Sequence, residues 1–190
     1  MFVAIESPPD VKAALKRAQE ALRAAVDVRA IRWTYSEQFH LTLRFLGNIA
    51  ATSVESLSVS LSDACRGFSS LRLCARGIGF FPSPRKPRVI WSGVTDSEGR
   101  LRELQQLVTT STAVFSSEEP ENDFHGHITL GRIKHLSRRD AAALVDVADR
   151  ISSTAFGEWT VDNLRLIRSE LSSSGPTYTT ISTTSLLAQS

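Results

Sequence analysis

Phe39-His40-Leu41-Thr42-Leu43-Arg44-Phe45-Leu46-Gly47 and Phe124-His125-Gly126-His127-Ile128-Thr129-Leu130-Gly131-Arg132 carry the same pattern, H-x-T-L, once in each half of the chain. Apolar and polar residues alternate through both copies, which is the period-two signature of a strand with one buried face. His40 and Thr42 then share one face, as do His127 and Thr129, while Leu41, Leu43, Ile128 and Leu130 pack behind them. Continued alternation sets Arg44 beside His40 and Thr42, and turns Phe45 toward the core. Arg132 falls out of phase with His127 and Thr129. It would need a bend, a bulge or the strand end to reach the same ligand.

Outward from these strands, residues 2–6 read as a short buried strand. Ser7-Pro8-Pro9-Asp10 offers capping side chains and early-helix prolines. Val11, Leu15, Ala18, Leu22 and Val26 follow at helical spacing, and Lys12, Lys16, Arg17 and Arg23 read as a solvated face rather than an RNA-facing one. Residues 30–35 form a further strand, 53–65 a helix, 71–80 and 89–94 strands, and 98–114 a helix. Gly77 and Gly79 signal a bulge or a close backbone approach. Trp91 reads as a core aromatic. An acidic loop at 116–123 precedes the second motif, and a helix at 137–151 follows it. Residues 159–171 and 178–187 form a hairpin around 172–176. This order predicts an α+β fold.

A chain of 190 residues supports one sizeable core, so 1–190 is read as a single domain. The net charge of +2 gives no global polyanion signal, and phosphate recognition must therefore be local. The apolar runs are too short to span a bilayer, no membrane partner is expected, and the first residues lack the pattern of a signal peptide. Cys65 and Cys74 have no metal-ligand spacing and read as reduced thiols. The expected location is cytoplasmic and the expected state a monomer.

Two histidines can divide the roles of acid and base near neutral pH. Displacement at phosphorus needs a base on one side and an acid on the other, and two facing strands supply them without a metal. Threonine hydroxyls can donate to the non-bridging oxygens. His125 and His127 are spaced H-x-H with His135 nearby, but no carboxylate or cysteine set accompanies them, so no metal and no cofactor is expected. The loop Pro82-Ser83-Pro84-Arg85-Lys86-Pro87-Arg88 either steers a phosphate chain or is a solvated turn. Arg44, Arg85, Lys86 and Arg88 are thus weaker candidates for RNA contact.

The chain resembles the two-histidine (2H) phosphoesterases, in the branch of RNA 2′,3′-cyclic phosphodiesterases also called 2′-5′ RNA ligases. The resemblance rests on Phe2-Val3-Ala4-Ile5, Trp33, the two H-x-T-L segments, Phe81-Pro82 through Trp91, and Ser169-Glu170-Leu171 with Gly175-Pro176-Thr177-Tyr178. It implies two pseudo-symmetric lobes whose antiparallel sheets form a central cleft, with helices on the outer faces. It further implies that His40 is the proton donor, that His127 is the proton acceptor, and that Thr42, Thr129 and Arg132 hold the phosphate. The implied substrate is RNA ending in a 2′,3′-cyclic phosphate, tRNA fragments included, opened to a 2′-phosphomonoester. Joining or cleaving 2′-5′ linkages, action on small cyclic nucleotides, and non-catalytic binding of RNA ends are the alternatives. The family usually has proline before the second histidine. Gly126 stands there, and is expected to loosen the backbone ahead of His127.

Overall fold

The computed structural model describes residues 1–26, 28–120, 123–172 and 175–188. The acidic loop expected at 116–123 and the turn expected at 172–176 lie partly outside them. Among the described residues, nine strands and four α-helices form an α+β structure in which all the strand pairs are antiparallel. The strands are β1 (Phe2–Glu6), β2 (Ile31–Trp33), β3 (His40–Phe45), β4 (Leu71–Phe81), β5 (Val89–Thr95), β6 (His127–Ile133), β7 (Ala155–Val161), β8 (Asn163–Ser172) and β9 (Gly175–Ser185). The helices are α1 (Pro9–Ala24), α2 (Val54–Cys65), α3 (Arg100–Thr112) and α4 (Arg138–Arg150).

The order β7-β4-β5-β6-β3-β1-β8-β9, with β2 added on β6, divides at its centre. β3 and β6 are joined by a single residue pair, Leu41 opposite Ile128. On one side lie β3, β1, β8 and β9, and on the other β6, β5, β4 and β7. The chain crosses between the halves repeatedly. α1 follows β1 yet packs on β7 and α4, whereas α3 leaves β5 to pack on β3 and α2. A large apolar cluster spans the halves, running from Val3, Ile5 and Leu41 to Leu73, Ile90 and Ile128, and a small one gathers Phe2, Ala4 and Ile167.

Local chemistry explains the element ends. Pro9 starts α1 at a position where a missing N–H costs nothing, and the buried stripe Val11, Leu15, Ala18 and Leu22 is the expected one. The expected capping side chain is absent: α1 starts from Pro8 with no side-chain hydrogen bond. Ser137 does cap α4, its hydroxyl accepting from the Asp140 amide at 3.1 Å. Gly77 takes a positive φ of 62° at a register shift in β4, and Gly79 leaves space for Trp91, whose ring would lie 2.3 Å from a Cβ placed there.

Two expectations need correction. Trp159 does not extend the C-terminal hairpin; it lies in β7, which pairs with β4 in the other half, with Asp162 separating it from β8. Trp91 is half-buried rather than core. It stands opposite Thr129 and so shares that residue's face.

Candidate active site

Because Leu41 lies opposite Ile128 in an antiparallel pair, the register sets His40 across from Thr129 and Thr42 across from His127. The two histidines occupy opposite corners, each facing the other strand's threonine. All four side chains line one cleft of about 550 Å³.

Both imidazoles are held in the same way. His40 Nδ1 lies 2.6 Å from the Gln38 carbonyl, and His127 Nδ1 lies 2.8 Å from the His125 carbonyl. A carbonyl oxygen can only accept, so each Nδ1 carries the proton and each Nε2 is the atom left for proton exchange. Gln38 also anchors this arrangement, its amide donating to the Pro176 carbonyl at 2.7 Å.

The rings around the histidines differ. Phe2 stacks on His40 at 5.0 Å and Tyr178 meets it edge-on at 5.5 Å. Burial holds the His40 imidazolium below the ordinary histidine range; the Gln38 carbonyl and Glu6 oppose this, while the charges of Lys12 and His127 reinforce it. His127 is flanked by Phe81, edge-on at 5.0 Å, and by Trp91 at 6.2 Å. Burial also raises the Tyr178 phenol, against the pull of Arg132 and Arg32.

A bulge at the last leucine of each motif, Leu43 and Leu130, decides where the arginines go. The register of β3 slips opposite Val3 and Ala4, so Arg44 turns inward and Phe45 outward. Arg44 therefore does not join His40 and Thr42. It is buried, and its guanidinium donates to the Thr109 carbonyl and, at 3.4 Å, to that of Glu118. The register of β6 slips opposite Ile90 and Trp91, and this brings Arg132 round to the cleft that holds His127 and Thr129. Arg85, Lys86 and Arg88 are exposed in the turn between β4 and β5, and none of the three lines the cleft.

Gly126 is not a loose joint. A Cβ there would lie 2.6 Å from the Val94 carbonyl oxygen and 2.9 Å from Leu101 Cδ2. Its own carbonyl accepts from the Val94 amide at 2.8 Å, so β5 and α3 hold the backbone that leads to His127. Glycine is required by close approach, which corrects the expectation of slack.

The chain has counterparts among known proteins. A sequence model described as LigT like Phosphoesterase matches residues 5–91 and 94–178. The chain belongs to this phosphoesterase family. The RNA 2′,3′-cyclic phosphodiesterase of Methanothermobacter thermautotrophicus is 30% identical over 178 residues, covering 94% of each chain. A crystal structure from Thermus thermophilus superposes with a TM-score of 0.80 at 28% identity, over 100% of this chain and 98% of that one. The Escherichia coli LigT structure complexed with 3′-AMP gives a TM-score of 0.75 at 20% identity, over 97% and 96%, which shows a shared fold.

In this phosphoesterase several cleft residues escape a reading of the sequence. Phe2, Gln38, Phe45, Tyr178 and Arg32 all line the cleft. Phe2, Phe45 and Tyr178 lie in segments that carry the family resemblance, though alternation turns Phe45 toward the core whereas it is in fact exposed, and no periodicity marks Gln38 or Arg32. Among the described residues no group of three or more His, Cys, Asp or Glu is placed to hold a metal ion, and no helix is long and apolar enough to cross a membrane.

Proposed function

We propose that this phosphoesterase opens the 2′,3′-cyclic phosphate at an RNA end to a 2′-phosphomonoester, using two histidines and no metal. The supporting observation is the pair of imidazoles at opposite corners of one cleft, each with Nδ1–H committed to a carbonyl and a threonine across from it. His127 Nε2 takes a proton from the attacking water. The new P–O bond forms as the bond to the ribose 3′-oxygen breaks, and His40 delivers its proton to that oxygen. Thr42 and Thr129 donate to the non-bridging oxygens, and Arg132 balances their charge. Bound phosphate favours the His40 imidazolium and so opposes the effect of burial. The reading is of one catalytic domain of two interlocked lobes, monomeric and cytoplasmic, acting on RNA that includes tRNA fragments.

The test is hydrolysis of an oligoribonucleotide ending in a 2′,3′-cyclic phosphate, with the product resolved as 2′- or 3′-phosphate. The expected product is the 2′-phosphate, formed equally well with EDTA present. A 3′-phosphate product would reverse the leaving group assigned to His40. Loss of activity with chelator would end the metal-free mechanism.

A further inference from the structure

A second concavity, of about 790 Å³, opens beside the cleft. Residues 32–35 line both, so the two spaces adjoin along one short segment. The second is strongly basic. Lys16 and Arg23 from α1, Arg29, Arg32 and Lys134 all border it and are all exposed, while Glu37 is its one acidic residue among those described. Lys16, Arg23, Arg32 and Lys134 take part in no salt bridge among the described residues. Sequence spacing alone makes the α1 cations a solvated face. The fold instead gathers two of them with three cations from elsewhere in the chain.

The boundary between the spaces has its own signature. β2 pairs with β6 so that Arg32 stands directly opposite Arg132. Like charges in register across a ladder repel. An anion bound between them converts that repulsion into attraction on both sides. Tyr35, 65% exposed, stands on the same boundary and offers a flat apolar face. Arg23 lies over the Trp33 ring at 5.9 Å, which keeps its charge at the groove wall. A groove bordered by cations with an exposed aromatic is the pattern that binds a single-stranded polynucleotide: charge attracts the backbone and a ring accepts a base.

We infer that this groove binds the RNA segment 5′ of the reacting end, with the chain leaving the His40–His127 cleft between Arg32 and Arg132 and passing over the groove that Tyr35, Lys16 and Lys134 border. The inference rests on the proposed function for the position of the reacting end. It makes a polynucleotide, rather than a cyclic mononucleotide, the preferred substrate. It also places the strand on α1 and β2, away from the Arg85, Lys86 and Arg88 turn.

The experiment uses the full chain and three substrates: cytidine 2′,3′-cyclic phosphate, and oligoribonucleotides of two and eight residues with the same end. Lys16→Gln/Lys134→Gln and Lys16→Glu/Lys134→Glu alter charges that touch neither histidine. For the octamer, kcat/KM should fall about 10-fold in the neutral variant and further on reversal, and the log–log salt slope should shrink by about 1–1.5. The cyclic mononucleotide should react as in the wild type. Equal loss on both substrates, an unchanged octamer, or loss only in Arg85→Gln/Lys86→Gln/Arg88→Gln would overturn the groove. Fluorescence anisotropy of a labelled octamer ending in a 3′-phosphate separates the two readings. Weaker binding by the lysine variants, in a protein that hydrolyses none of the substrates, would uphold the groove while removing the proposed reaction. Identical binding by variants and wild type would remove the groove whatever the chemistry.

Discussion

The His40 strand and the His127 strand are two solutions to one layout. Each fixes its imidazole by a carbonyl two residues upstream, and each bulges at the leucine of its T-L pair, Leu43 or Leu130. They part at the next two residues. On β3 these are Arg44, buried, and Phe45, 60% exposed and lining the cleft. On β6 they are Gly131, buried, and Arg132, exposed and lining the cleft. The cause is β2. It lies along β6 and brings Ile31 and Trp33 to within 3.0 and 3.1 Å of where a Gly131 side chain would start. Among the described residues no such strand covers β3 there, and the Arg44 guanidinium extends to the carbonyls of Thr109 and Glu118 instead. One wall of the cleft therefore presents Phe2, Phe45 and Tyr178, and the other adds Arg32 and Arg132 to the aromatic Trp33 and Tyr35. Near-symmetry supplies two imidazoles for the proposed proton transfers, and its local failure makes the two sides of the cleft different.

The hardest test of this pairing is to remove each histidine. His40→Ala and His127→Ala should each lower kcat by about 10²–10⁴-fold on a cyclic phosphate end, with the double variant little worse than either single one. A single variant that keeps full activity would break the division of labour between the strands.

Next come the two arginines that follow the motifs. Arg132→Ala should raise KM about 10-fold or more, the equivalent of losing a ~1.5–3 kcal/mol hydrogen bond to a charged group, while leaving the urea midpoint in place. Arg44→Ala should do the reverse, lowering the urea midpoint with KM unchanged, because its partners are backbone carbonyls of the fold. If Arg44→Ala changed KM and spared stability, the bulge-driven inversion would be wrong.

A smaller effect is expected at the start of β6. Gly126→Ala should cost ~1–3 kcal/mol in urea unfolding, since a methyl must displace the Val94 carbonyl or Leu101. A gain in stability there would restore the view of Gly126 as slack.

The smallest effect belongs to the His40 side alone. Its folded pKa lies below the ordinary 6.5, so between those values the unfolded chain binds more protons than the folded one. Stability from this group is fully present above pH 6.5 and is lost as pH falls through the window. Tm should drop on acidification across that range, and His40→Gln should flatten the drop. An unchanged slope in His40→Gln would place the acid sensitivity elsewhere.

The repeated H-x-T-L spacing, the buried stripes of the helices and the α+β order are all legible in the chain because each is a local periodicity imposed by one buried face. So is the likeness of residue types that leads to His40, Thr42, His127 and Thr129. Nothing local places Arg44 or Arg132, since a one-residue bulge inverts parity and is set by the partner strands β1 and β5. Trp159 departs from its expected strand for a related reason: pairing with β4 is a choice between halves, and its partner there is Leu73, far back in the chain. The sequence by itself determined which imidazoles and hydroxyls the two motif strands carry into the cleft. Only the tertiary structure decided which of its many cations meet them, because strand register and the crossing of β2 to β6 are long-range pairings that no stretch of chain encodes alone.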